Sequence, residues 1–303
     1  MKYNEINKVA TIVVTYNRLE LLKKNIEALN KIQCDCMFDI LIIDNASTDG
    51  TKEYIGTLKE KNIKYYNTGK NIGGAGGFNF GIKKAAEQGY KWIWLMDDDT
   101  MPAEDSLQKL LEVDKKLQGQ YGFLSSRVLW KDGTQCLMNC PQFKHKKINQ
   151  DKLETPLTQI SQASFVSMFM RTETVLEVGL PIKEFFIWGD DVEYTRRISL
   201  RYEKNSYMVK DSKVYHLMKV NKGSNIAIDE VERIGRYRYA FRNEFYTYKQ
   251  EGLGGVMYYL AKCAFNIVRV LLISSSDRSQ RCDVIIKAML EGKSFNPSIE
   301  YIK

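Results

Sequence analysis

Trp92-Ile93-Trp94-Leu95-Met96-Asp97-Asp98-Asp99-Thr100 decides how this chain reads: an apolar run of strand length empties into three consecutive carboxylates. Pro102, just beyond, suits the first turn of a new helix. Carboxylates crowded at a strand end repel one another and raise each other's pKa unless a cation or a donor-rich ligand sits among them. A divalent metal resolves that conflict. A solvated acidic turn that caps the next helix is the plain alternative, about as well supported by the tripeptide alone.

The composition narrows the choice. At 303 residues with 44% hydrophobic content the chain is long enough for one large domain or two smaller ones with an ordinary globular core. Forty-five Lys and Arg against 37 Asp and Glu give a net charge of +8, which favours phosphorylated ligands, anionic lipid or nucleic acid without choosing among them. A basic protein that keeps three adjacent carboxylates is better explained by a metal-phosphate site than by a nucleic-acid groove, so no nucleic acid is expected as a partner. The cysteines (34, 36, 136, 140, 263 and 282) include no Cys-x-x-Cys pair, and reduced, buried thiols are expected. The polar opening stretch Met1–Lys8 has no secretory signal, so a cytoplasmic location is expected.

Upstream of the acidic run, the β-branched stretch 9–15 reads as a strand buried on both faces, followed by Tyr16-Asn17-Arg18 and a helix to about Asn30. A second strand, 38–43, ends in Asp44-Asn45-Ala46-Ser47-Thr48-Asp49-Gly50, dense in turn and cap residues. A helix from Thr51 and a strand at 63–66 follow. Strands alternating with helices predict a doubly wound α/β sheet whose ligands gather at the carboxyl ends, where Thr15, Tyr16, Asp44 and Asp97–Asp99 lie. Next, Asn71-Ile72-Gly73-Gly74-Ala75-Gly76-Gly77-Phe78 opens a helix through Ala86. Glycines there let a diphosphate approach backbone amides at a helix amino end, although neither a dinucleotide fingerprint nor a P-loop is present. The competing reading is a connector that only lets the helix pack tightly.

Downstream, a helix is predicted at 106–117, a hairpin from 123–130 to 134–138 about Lys131-Asp132-Gly133, an exposed lysine-rich loop at 141–156 with a solvent-facing His145, and a buried strand at 165–170 whose following helix Thr172 caps. Phe185-Phe186-Ile187-Trp188-Gly189-Asp190-Asp191-Val192-Glu193 then sets two carboxylates at a helix start. One aspartate suits a capping pair with Glu193; the other, walled by aromatics that perturb its pKa, is free to act as a base. Strand-like 206–210 and 214–216 end at His216, a candidate ligand. In the tail, Tyr237, Phe241, Phe245 and Tyr248 share a helical face, and 256–273 is apolar but carries Lys262, Asn266 and Arg269 on one stripe. Two charges near mid-span argue against a membrane crossing. The helix is expected to pack on the core; the alternative lays it in a membrane interface with its basic residues toward lipid phosphates. Nothing in the sequence reports the oligomeric state.

With these stretches assembled, the chain resembles the family 2 glycosyltransferases of GT-A fold, and among them the bacterial rhamnosyl- and galactofuranosyltransferases. The matching segments are Val13–Arg18, Ile43–Gly50, Asn71–Phe78, Asp97–Asp99, Phe186–Tyr194 and His216. The resemblance implies a mostly parallel GT-A sheet over 1–217, a helical extension over 218–303, and inverting, metal-dependent transfer of a sugar from a nucleoside diphosphate to a glycan acceptor, lipid-linked at the inner face of the membrane. By resemblance, Thr15, Tyr16, Asn17, Arg18, Asp44, Asn71, Gly74, Gly76, Gly77, Asp97, Asp98 and Trp188 bind the donor, with Asp44 at the base. Asp99 and His216, with Asp97, hold Mg2+ or Mn2+. Asp191 looks like the general base, although Gly189 departs from the Trp-Asp-Asp form and leaves Asp190 open for that role. A sugar-phosphate nucleotidyltransferase would need a lysine-bearing glycine loop after the first strand, where Tyr16-Asn17-Arg18 stands; a basic membrane- or nucleic-acid-binding module would need no metal.

Overall fold

The structure, a computed structural model, describes residues 6–302; within the polar opening stretch, Met1–Glu5 lie outside the described residues. Strand β1 (Ile6–Thr15), helix α1 (Leu19–Leu29), β2 (Phe38–Asp44), α2 (Thr51–Thr57), β3 (Ile63–Asn67), α3 (Gly73–Glu87) and β4 (Tyr90–Asp97) alternate as the periodicity predicts. They build a parallel half-sheet in the order β3-β2-β1-β4. Its register sets Thr15 beside Asp44 and Val14 beside Asp97, so three carboxyl ends share one edge. Successive β1 residues alternate between two cores. Ile12 and Val14 meet Phe78 and Ile82 of α3, whereas Val9 and Val13 meet Leu22, Ile26 and Leu29 of α1.

After β4 the chain departs from expectation. Thr100–Pro102 is a short edge strand, β5, paired antiparallel with the last strand of the sheet, and the helix α4 (Ser106–Lys116) starts later. Proline is tolerated there because an edge strand leaves one row of backbone groups without ladder partners. Strand β6 (Leu124–Trp130) makes only an isolated bridge, Leu129 to Gln135, with the expected hairpin partner at 134–138. Its two edges are already occupied by neighbouring strands. The lysine-rich stretch is ordered into β7 (Gln142–Phe143), β8 (Lys146–Lys147) and α5 (Gln150–Leu153), burying Ile148 and Leu153. His145 is exposed as expected, with its ring 4.3 Å from that of Tyr258.

Strand β9 (Leu157–Ile160) and β10 (Met168–Arg171) follow, the latter shorter than predicted because Phe165–Ser167 forms a 3-10 turn. β10 runs antiparallel between β4 and β6. Helix α6 (Thr172–Val178) is preceded by Arg171; Thr172 lies inside it and donates its hydroxyl to the Tyr90 carbonyl instead of capping. Helix α7 (Asp190–Arg196) leads into β11 (Ser206–His216), one strand with a bulge between Val209 and Lys213 where two pieces were expected. Glu193 forms no capping pair; it chelates the buried Arg197 guanidinium at 2.6 and 2.9 Å.

The tail comprises α8 (Val231–Ile234), α9 (Tyr237–Lys249), α10 (Gly252–Ile273) and α11 (Arg278–Ser294). Tyr237, Phe241, Phe245 and Tyr248 all turn inward, onto Tyr259 and Cys263 of α10 and Ile285 and Ala288 of α11. Against the core-packing expectation, α10 leaves most of its apolar surface outside, with Leu253 79%, Phe265 60% and Leu272 74% exposed. Lys262 faces inward to Glu244 at 2.6 Å, so the stripe predicted to meet lipid phosphates turns to the protein. The cysteines are free, but only Cys136 and Cys263 are buried; the other four are half-buried. Helix α3 lies tightly on the sheet because it presents glycine there: a Cβ on Gly77 would come 2.6 Å from Val14, and one on Gly81 2.6 Å from Ile12. Gly81→Val is expected to cost about 1–3 kcal/mol by overpacking, read as a lowered urea midpoint with an unchanged m-value.

Candidate functional site

The acidic run sits where β4 ends. Asp98, buried, accepts the Thr15 hydroxyl at 2.8 Å and faces Arg18 Nη1 at 2.9 Å. Asp99 accepts from Arg18 Nη2 at 2.7 Å, and its Oδ1 lies 3.1 Å from His216 Nε2. The other imidazole nitrogen, Nδ1, is 2.7 Å from Asn139 Oδ1, and the Cys136 thiol donates to the same oxygen. Pairing of His216 with Thr100, and the Leu217 amide on the Asp99 carbonyl, bring these distant segments together. Burial is the largest influence on every carboxylate here. It lifts Asp97 to about 6, aided by the Asp99 charge, and Asp98 to about 7 against the pull of Arg18. At Asp99, His216 and Arg18 overcome burial and hold the group at about 2. Burial would lower His216, but Asp99, Cys136 and Asp97 raise it to about 10.

Across from this cluster the aromatic segment forms a strained loop. Phe186 (φ 64°, ψ −61°) centres a γ-turn in which the Ile187 amide donates to the Phe185 carbonyl at 2.7 Å; Trp188 (φ 63°) and Gly189 (φ 86°) are also left-handed. Such conformations at bulky residues cost about 1–3 kcal/mol each and persist only where neighbours enforce them. Gly73 is one enforcer: a Cβ there would stand 2.0 Å from the Phe186 carbonyl oxygen, which accepts from the Ala75 amide. The glycine cluster therefore opens α3 from inside the helix and makes room for this loop, the close-packing alternative, while Gly74 alone of the four faces the cavity. The loop delivers Asp190 and Asp191 to the first turn of α7. Burial and the Asp191 charge push Asp190 well above the usual carboxylate range; burial lifts the half-buried Asp191 to about 6, against the Val192 amide it accepts.

Both clusters open into one cavity of about 560 Å³. Of the residues singled out in the sequence, Arg18, Gly74, Asp97, Asp99, Trp188, Asp190, Asp191 and His216 line it together. The others stand behind or beside that wall. Asp44 is fully buried, with its oxygens on Tyr65, Asn67 and the Ser47 amide. Asn17 accepts from the Thr48 amide while its own amide donates to Ser47, knitting two loops; Asn71 receives the Gly73 amide; Tyr16 is exposed. Gly76 packs on Ile72 and Gly77 on Val14, and Thr15 supports Asp98. Sequence reasoning missed Asn139 behind His216, Asn243 behind the loop, and Glu244 with Lys262 in the cavity wall. None carries a local motif.

Residues 10–156 match the model of the family described as Glycosyl transferase family 2. The chain carries a family 2 glycosyltransferase domain. It is 28% identical over 214 residues to galactofuranosyltransferase GlfT1 of Mycolicibacterium smegmatis, a stretch covering 65% of this chain and 67% of that protein. It is 25% identical over 217 residues to a GalNAc(5)-diNAcBac-PP-undecaprenol beta-1,3-glucosyltransferase of Campylobacter jejuni, covering 70% and 65%. Among solved structures, GalNAc-T7 with UDP, GalNAc and Mn2+ superposes with a TM-score of 0.65 at 14% identity, over 94% of this chain and 55% of that one, a likeness of GT-A fold. A glycosyltransferase replaces both the nucleotidyltransferase and the non-catalytic alternatives.

Among the described residues no three His, Cys, Asp or Glu side chains converge as a metal cage, so Asp97 does not complete a site with Asp99 and His216. Those two still suit a cation. Asp99 Oδ1 is buried without a hydrogen-bond partner although His216 Nε2 lies 3.1 Å away, which leaves a carboxylate lone pair and an imidazole side by side. One carboxylate and one imidazole are donors that suit a divalent cation. Asn139→Ala releases the far side of the imidazole and is expected to weaken Mn2+ affinity about 10–100-fold, measured as the Mn2+ concentration that raises Tm in the presence of UDP.

Proposed function

We propose that this protein is an inverting glycosyltransferase that moves galactofuranose or rhamnose from a nucleoside diphosphate, UDP or dTDP, to a hydroxyl of a glycan acceptor in cell-surface polysaccharide synthesis. The observation that carries the reading is one cavity walled by Asp97, Asp99, Arg18 and His216 at one end and by Asp191 at the other. Arg18 and the amino end of α3 at Gly74 offer positive charge to the diphosphate. Mg2+ or Mn2+, held by Asp99 and His216, would supply Lewis-acid neutralisation of charge on the departing diphosphate. Trp188, held edge-on to Tyr237 at 5.1 Å, walls the sugar space.

Asp191 takes the proton of the acceptor hydroxyl as its oxygen bonds to the anomeric carbon; the bond from that carbon to the diphosphate breaks with its electron pair leaving on the phosphate oxygen. Asp191 fits this role better than Asp190. It is ionised at neutral pH with a carboxyl group near 6, whereas burial, and then the charge of Asp191, push Asp190 well above the usual carboxylate range. A base must be ionised to act, so the rate is expected to be full above pH 7 and to fall as pH drops through about 6. Asp191→Asn is expected to lower kcat by at least about 10²-fold while UDP binding, read by calorimetry, changes little; equal loss of UDP affinity would remove the base assignment.

The same reading places the protein at the cytoplasmic face of a membrane, working on a lipid-linked acceptor, with 1–217 as the donor-binding unit and 218–303 as a membrane-apposed helical region. Helix α10 is long and apolar enough to span a bilayer by length and composition, with a mean hydropathy of 1.6 over its most apolar window, but its Lys262 and Asn266 line the cavity. A helix committed to the cavity on one side lies along a bilayer rather than across it. The +8 net charge suits anionic lipid. Phe265→Glu with Leu272→Glu is expected to abolish co-sedimentation with phosphatidylglycerol vesicles and leave UDP binding unchanged; unaltered sedimentation would remove the membrane from the proposal.

A further inference from the structure

The loop before α7 has to turn three times through left-handed backbone, at Phe186, Trp188 and Gly189, to bring two carboxylates to the cavity wall. Two of those residues carry large side chains that disfavour it. Each loop carbonyl finds a donor nonetheless. The Phe186 carbonyl takes the Ala75 amide from α3. The Gly189 carbonyl takes the Glu193 amide, and the others are met from α9 by one buried side chain: the Asn243 amide donates to the carbonyls of Trp188 at 2.7 Å, Phe185 at 3.0 Å and Ile187 at 3.3 Å. Its oxygen accepts from Arg242 Nε at 3.0 Å and Nη2 at 2.8 Å, and Nη2 also reaches the Glu184 carbonyl at 2.9 Å. Asn243 is fully buried, and its Cβ lies 3.4 Å from where a Cβ on Gly189 would stand, directly under the residue that precedes Asp190.

We propose that Asn243 is a positioning residue for the Asp190–Asp191 pair: its amide fixes the left-handed loop that aims Asp191 at the acceptor hydroxyl. The proposal rests on the reading of Asp191 as the base. An amide supplies two N–H donors and an acceptor on one short arm, which neither an apolar residue nor a carboxylate can do. Without it, the Ile187 and Trp188 carbonyls lose their donor inside the protein, and relaxation of the loop toward ordinary backbone angles moves Asp191 out of line.

The test compares wild type, Asn243→Ala, Asn243→Asp and Asp191→Asn as full-length chains, reading kcat, KM for donor, the acid limb of the pH profile, and the Asp191 carboxyl titration by NMR. Asp190 on the same helix, Asp97 and Asp99 from β4, Arg18, His216 from β11, and Glu244 and Lys262 from the tail share the cavity with Asp191, and the Asn243 variants leave all of them in place. Asn243→Ala is expected to lower kcat about 10–100-fold with donor KM within about two-fold. As the loop admits water, the Asp191 titration moves from about 6 toward the usual carboxylate range. Asn243→Asp, which removes the donors but keeps the size, loses at least as much. If Asn243→Ala lowers only Tm, with kcat per folded molecule and the acid limb at wild-type values, the positioning role is overturned. If Asn243→Ala does not fold, Asn243→Ser with the same readouts decides. Full activity in Asp191→Asn overturns the base assignment itself, and the NMR titration then judges Asn243 independently.

Discussion

Charge crowding is the constraint on which this structure depends. Asp97, Asp99, Asp190 and Asp191 stand around one cavity with Asp98 buried behind it, and the cationic groups set directly against the β4 terminus are Arg18 and His216. Asp98 and Asp99 divide Arg18 between them, and Asp99 also takes His216. Burial with a neighbouring carboxylate's charge raises Asp97 and Asp190, burial alone raises Asp191, and burial raises Asp98 in spite of Arg18, so all four ionise less readily than a solvated carboxylate. Perturbed carboxylates gathered in a cleft are the usual mark of a functional site. Under the proposed function a cation beside Asp99 and a proton acceptor at Asp191 would both make use of that tension, one by neutralising charge and the other by raising basicity to the neutral range.

The sheet topology makes the crowding possible. In the parallel half, carboxyl ends fall together by construction, which accounts for Thr15 and Asp97. His216 arrives differently, since β11 pairs parallel with β6 and antiparallel with β5, and β5 is the chain immediately after the acidic run. The tripeptide is thus a tight turn clamped between two strands, and Asp99 meets His216 because Thr100 and His216 are register partners. A solvated acidic turn would have needed neither clamp nor histidine.

What could be read from the sequence follows from the range of the interactions involved. The elements from β1 to β4, α1 and the aromatic stripe of α9 are written in local periodicity, and the structure reproduces them. The stretch after Asp99 was misread because Pro102 is as acceptable on an edge strand as in a helix's first turn, and only pairing with residues far along the chain decides. Gly73 is similar: its need comes from the Phe186 carbonyl, which no neighbour in sequence announces. The amphipathic stripe of α10 was legible, but not its direction, because the acidic partner of Lys262 sits on a different helix. Asn243 lies in an unremarkable Arg-Asn-Glu helical run, and its work is visible only where its amide meets three carbonyls of another segment.

These long-range contacts change what the tail is. A tether could be replaced by any helix of suitable hydropathy, yet α9 supplies the donors that hold the Asp190–Asp191 loop, and α10 closes the cavity with Lys262 and Asn266. Under the proposed function, one helix then separates catalysis from the bilayer. Its inner face is part of the cavity wall, its outer face carries Leu253, Phe265 and Leu272, and its diameter is about 10 Å. An acceptor anchored in lipid need lift its reactive hydroxyl only about that far to meet Asp191. On that reading a lipid diphosphate with a short glycan would span the distance, and the donor's diphosphate would sit at the Arg18 and Asp99 end of the same cavity. A cavity walled by α10 on one side and by the β4 terminus on another would then let the two substrates meet at Asp191 from different ends.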